Sequence, residues 1–258
     1  MLCIRLGKSI VCAAAMCAVS SVAQGDLTID LRATTVNGAA LSGGQTQHAI
    51  PNAQIGDVIA FDVFALVTGT DANFMNDRFL AVSGSFRSSA LGSGDNLLGN
   101  LLLDVVRTQF DPETGDPVGP LGFDNLGFSA GTQQDLDGDG DLDVGSNNTS
   151  APANYWAARA YLVTSGGGYG VPAGLPNGRK IGVGCFNVTS TSAASQTLLR
   201  FAGRNIDIAA TYNEDGIVRQ GPSLDSLPGK GIVVSSIPEP ASVTTIAARL
   251  LVLHRRRR

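Results

Sequence analysis

Ile59-Ala60-Phe61-Asp62-Val63-Phe64-Ala65 places Ile59, Phe61, Val63 and Ala65 at every second position, the period of a strand with one face turned into a core. The surrounding run Asp57–Val67 is one of nine candidate strands; the others are Leu27–Ala33, Arg78–Phe86, Leu97–Arg107, Arg159–Thr164, Lys180–Thr189, Thr197–Ala202, Ile206–Thr211 and Gly231–Ser235. Each is rich in β-branched or aromatic residues and is bounded by Gly, Asn, Asp, Ser or Pro. Val183, Phe186 and Val188 alternate less regularly, as in a twisted or bulged strand. Between the two ends, no stretch keeps a capped 3.6-residue apolar period. Leu97–Val106 also reads as a helix, a reading that Gly99 and Asn100 weaken. About nine short strands predict an all-β fold of two packed antiparallel sheets, a β-sandwich.

Two segments sharpen that expectation. Gly56-Asp57-Val58-Ile59-Ala60-Phe61-Asp62-Val63 is similar to the second strand of the cohesin-like jelly roll. Arg179–Thr189 followed by Ser195-Gln196-Thr197-Leu198-Leu199 resembles the paired strands near its C-terminus. The resemblance implies a module of the kind that binds carbohydrate or protein.

The two ends read as addresses. In residues 1–23, Arg5 and Lys8 precede the apolar run Ile10–Val19, and Ser21-Val22-Ala23 supplies small residues before a cut at Gln24. This is the pattern of a signal peptide, a short helix too brief to span a membrane, and it implies the Sec export machinery as a partner. In residues 237–258, Pro238, Glu239 and Pro240 are followed by Ala241–Leu253, and then by His254, Arg255, Arg256, Arg257 and Arg258. The prolines break the chain before a helix-prone apolar run, and the arginines hold the end on the cytoplasmic side. This tail resembles the PEP-CTERM sorting signal of Gram-negative bacteria. The resemblance implies recognition by an exosortase, a transient anchor in the inner membrane, tail removal, and display on the cell envelope, surface or extracellular matrix. The hydrophobic run departs from a full span: 13 residues rise only about 20 Å as a helix, and Arg249 lies within them.

Setting the ends aside changes the charge. They hold seven of the 18 basic residues and one of the 22 acidic ones, so residues 24–236, the expected β-sandwich domain, carry 11 basic against 21 acidic, a formal net charge of −10. An acidic body excludes nucleic acid as the default partner and favours divalent cations. Cys3, Cys12 and Cys17 leave with the signal, so Cys185 stands alone and no disulfide within the chain is expected.

Residues 134–146 carry the one chemical constellation, Gln134-Asp135-Leu136-Asp137-Gly138-Asp139-Gly140-Asp141-Leu142-Asp143 and its exit to Ser146. Asp135, Asp137 and Asp139 stand at positions 1, 3 and 5 of a calcium loop, with Gly140 at the sharp turn. Asp141 is expected to offer its backbone carbonyl at position 7, and Asp143 a direct or water-mediated contact at 9. The spacing predicts convergence on one structural Ca2+. The pattern resembles EF-hand and dockerin-type loops, but position 12 is Ser146 instead of a chelating acid, and the flanks do not read as helices. The missing ligand is then expected from Asn147, Asp124 or water.

Catalytic material is sparse. With His254 in the tail, His48 is the one histidine left, in a Gly/Gln/Thr-rich loop, which leaves no triad or zinc cluster to build. Glu113 and Glu214 sit in turn-like settings. Tyr155 and Trp156, with Tyr161 nearby, are a candidate aromatic platform for a sugar, although a lone tryptophan is more often core. The expectation is a non-enzymatic exported protein, associated with extracellular polysaccharide and stabilised by calcium. A carbohydrate- or protein-binding cohesin-like module is the alternative reading, and a carboxylate-based glycosidase the second alternative.

Overall fold

The computed structural model describes residues 26–90, 98–102, 131–147, 154–159, 170–174, 176, 178–191, 195–203, 210–221 and 230–236. The signal peptide at 1–23, the sorting tail at 237–258, and Glu113, Asp124 and Tyr161 lie outside them. The described residues contain strands and no α-helix. In chain order the strands are β1 (Asp26–Val36), β2 (Ala39–Ala40), β3 (Ala49–Ala53), β4 (Val58–Thr68), β5 (Arg78–Ala90), β6 (Leu98–Leu101), β7 (Gln133–Gln134), β8 (Asp143–Val144), β9 (Trp156–Arg159), β10 (Val171–Pro172), β11 (Arg179–Ser190), β12 (Gln196–Gly203), β13 (Ala210–Glu214), β14 (Ile217–Gly221) and β15 (Ile232–Ser236).

A five-stranded sheet runs β2-β1-β4-β11-β6, entirely antiparallel. A larger sheet runs β14-β13-β5-β12-β15-β3, with β8, β9 and β10 also paired to β5. Its β15–β3 pair is parallel, so this sheet is mixed where all-antiparallel pairing was expected. The sequence reading passed over β3 because Pro51 and Asn52, the latter at φ 62°, interrupt it. An edge position tolerates both, since one side of the backbone needs no ladder partner.

The alternation in β4 is realised: Ile59, Phe61, Val63, Ala65 and Val67 are all buried, and Leu27, Ile29, Leu31 and Ala33 of β1 match them. They share one cluster with Phe79, Val82, Phe86, Leu199, Phe201, Ile232 and Val234 of the other sheet. Phe61 meets Phe86 edge-on with ring centroids 6.2 Å apart, and Phe86 lies 4.9 Å from Trp156 and 5.2 Å from Phe201. Each fully buried ring contributes about 1.5–3 kcal/mol, with further gain from edge-to-face geometry. The irregular strand β11 has a physical cause. Gly182 and Gly184 leave space that Trp156 and Phe61 fill, since an added Cβ would lie 2.9 Å from Trp156 Cζ2 and 2.3 Å from Phe61 Cζ. A bulge against β4 between Lys180 and Gly182 adds to the irregularity.

Candidate metal centre

The aspartate loop leaves the second sheet and returns to it. β7 and β8 pair through Gln133–Val144 and Gln134–Asp143, which closes the base of the excursion. Gly138 and Gly140 hold φ 81° and 100°, a backbone that only glycine adopts cheaply, and this lets the loop turn on itself. The exposed Asp135 caps the turn: its carboxylate accepts from Gly138 N at 2.6 Å and Gly140 N at 3.2 Å. Leu136, beside it, is buried.

The loop lies across two strands from different sheets. Leu101 N of β6 donates to Leu142 O at 2.8 Å, and Leu142 N donates to Asn100 Oδ1 at 3.1 Å. On β5, Ser89 Oγ donates to Asp137 Oδ2 at 2.7 Å. Asp143, fully buried, accepts from Ser88 N at 2.8 Å and Leu136 N at 3.0 Å. Asp141, 1% exposed, accepts through Oδ2 from Ser88 Oγ at 2.6 Å and Gly99 N at 3.4 Å. Its other oxygen, Oδ1, is buried and has no hydrogen-bond partner. An acceptor left bare in this way costs about 1–3 kcal/mol, and more when it is charged.

Burial is the largest cause of the shifted acidities. It pushes Asp141 up to about 8; the Ser88 hydroxyl opposes the rise, and the charges of Asp139 and Asp143 add to it. Asp143 is pushed up to about 6, again by burial, against the backbone N–H groups of Ser88 and Leu136. Asp139 is raised as well, by burial and by the charges of Asp137 and Asp135.

The five carboxylates of the loop lie close together. Among the described residues they form two groups, Asp135 with Asp137 and Asp143, and Asp137 with Asp139 and Asp141. Within each group the ligand oxygens lie within 4.8 Å of one another. Oxygens 2.3–2.6 Å from one calcium ion are up to about 5 Å apart, so either group can hold a metal ion. All five expected aspartates belong to one or other group, with Asp135 and Asp139 in different ones. Asp141 brings its side chain to the cluster, where a backbone carbonyl was expected.

Position 12 is built into the fold: buried Ser146 exchanges hydrogen bonds with Ser85 Oγ, at 3.0 Å from its N and 3.2 Å to its O. Asn147, one expected source of the missing ligand, is hydrogen-bonded at both ends of its amide. Its amide nitrogen donates to Leu136 O, and its oxygen accepts from Arg87 Nη2 at 2.6 Å. Ser88, Ser89, Gly99 and Asn100 are the partners that sequence reasoning missed, since nothing in a strand's serine pair points to a loop some fifty residues away.

The other candidates resolve differently. Tyr155 and Trp156 do not form an open platform: they are 2% and 0% exposed, and Trp156 packs between Phe86 and Phe201 in the core. His48 is more than a loop residue, because its Nε2 lies 2.7 Å from Oδ1 of buried Asp30, whose Oδ2 accepts from Arg32 Nε at 2.7 Å. Cys185 is buried, which pushes its thiol up and away from nucleophilic use. Glu214 pairs with Arg219 Nε at 2.9 Å, next to a hairpin turn at Asp215-Gly216. A cleft of about 200 Å³ beside Phe74 is lined by Asp71 and Asp77. Both carboxylates there already accept from turn groups, Asp71 from Asn73 N and Asn76 Nδ2, and Asp77 from Gly69 N and Asp215 N. No protein-family model matches this chain, and no curated protein matches it.

Proposed function

We propose that the chain is a non-enzymatic protein exported to the cell surface or extracellular matrix, with a body that calcium stabilises. The observation that carries the calcium part is the buried, unpartnered Asp141 Oδ1 inside an all-carboxylate cluster that joins β5 to β6. Oxygen-only ligands suit a hard cation, and calcium tolerates irregular geometry where magnesium demands a near-ideal octahedron. A weak site, with a dissociation constant of about 10⁻⁴–10⁻³ M, fills outside the cell and acts as structure instead of signal. The two sheets and their shared core support a β-sandwich of jelly-roll, cohesin-like type.

Export rests on the two ends of the sequence. Arg5, Lys8 and the apolar run support Sec entry, while Pro238, Glu239, Pro240 and the terminal arginines support sorting by an exosortase. Association with extracellular polysaccharide belongs to the same reading. Replacing Pro238, Glu239 and Pro240 by alanine tests it: the tail should be retained and the protein held at the inner membrane. Normal surface display with the tail removed would refute the sorting step.

A further inference from the structure

We propose that the loop holds two cations, one on Asp135, Asp137 and Asp143, the other on Asp137, Asp139 and Asp141, with Asp137 bridging them. The proposal rests on the calcium reading above and deepens it. A single ion in the manner of a calcium loop needs Asp135, Asp137 and Asp139 together. The structure separates Asp135 from Asp139 and gives each its own three-carboxylate group, with Asp137 the only member of both.

The second group has a demand that the first cannot meet. Asp141 belongs to the second group alone, is 1% exposed, and leaves Oδ1 without a donor. The group of Asp135, Asp137 and Asp143 does not include Asp141. Asp143, the buried member of the first group, already accepts two backbone N–H groups, so the two clusters differ in what they lack. Charge points the same way. Five carboxylates facing one divalent ion keep a surplus of three negative charges in a partly buried site, whereas a second ion leaves one. Asp137 is placed to bridge, because its Oδ2 takes a single hydroxyl from Ser89.

Calorimetric titration of the full-length chain with calcium chloride tests this, using Asp135→Asn and Asp139→Asn. Both side chains reach solvent, and folding is checked by circular dichroism. Two equivalents are expected for the natural sequence and one for each variant, with Asp141→Asn losing the same equivalent as Asp139→Asn. A single equivalent weakened by both variants would overturn the two-ion arrangement while leaving the calcium reading intact. Two equivalents retained in Asp139→Asn would also overturn it, placing the second ion elsewhere. No heat and no response to chelator would remove this proposal together with the calcium reading.

Discussion

Raising the pH from about 5 to about 7 in the presence of chelator should destabilise the protein, the reverse of ordinary acid unfolding. Asp141 and Asp143 stand at about 8 and about 6 in the folded chain, against a reference of 3.8. Folded pKa values above the unfolded ones mean that the native state binds more protons. The stability they contribute is fully present below about pH 4 and is lost as pH rises through about 6 and then about 8. At ~1.4 kcal/mol per unit, Asp141 loses roughly 3 kcal/mol between pH 5 and 7, and Asp143 about 1 more, for a total near ~4 kcal/mol. Calcium should reverse the trend near neutrality. At ten to one hundred times the dissociation constant, each ion adds about 1.4–2.7 kcal/mol, and it needs the carboxylates ionised. Urea unfolding followed through Trp156, the only tryptophan and fully buried, measures both arms. Stability that is flat or rising from pH 5 to 7 without calcium would refute the reasoning.

Other outcomes follow from single residues. Asp141→Asn puts a neutral side chain where the folded chain otherwise has to take up a proton near neutrality, so it should raise stability in chelator at pH 7 and shrink the calcium response in thermal melts. Trp156→Ala should cost about 3–5 kcal/mol in urea unfolding followed by circular dichroism, because it empties the space between Phe86 and Phe201. Gly84→Ala would set a Cβ 2.4 Å from Ala202 O and from the Phe201 ring, which should cost ~2 kcal/mol or more in the same assay. Asp30→Asn disturbs an acceptor shared by Arg32 and His48, and about 1–3 kcal/mol should be lost, read as a lower urea midpoint.

The core was legible wherever alternation was unbroken. β1 and β4 could be read residue by residue, because each apolar position meets the same core face. β3 was not legible, since its pairing is set by β15 nearly two hundred residues away and its own Pro51 and Asn52 argue against a strand. β9 opens at Trp156, ahead of the expected start at Arg159, and the burial of Trp156 comes from the aromatic cluster and not from local pattern; residues 160–164 lie outside the described residues. The spacing of the aspartate loop pointed to a cluster that can hold a cation, but spacing gives no direction to a side chain. Asp141 turns inward because Ser88 and Gly99, distant in sequence, hold one of its oxygens.

Backbone amide exchange in calcium and in chelator tests most directly whether a cation fastens the loop across β5 and β6. Leu101 N–H bonds Leu142 O, and Ser88 N–H bonds Asp143 Oδ1, so both amides report on that junction. The account predicts that they exchange markedly slower with calcium, while amides between β1 and β4 change far less. Equal rates for Leu101 and Ser88 in the two conditions would contradict it.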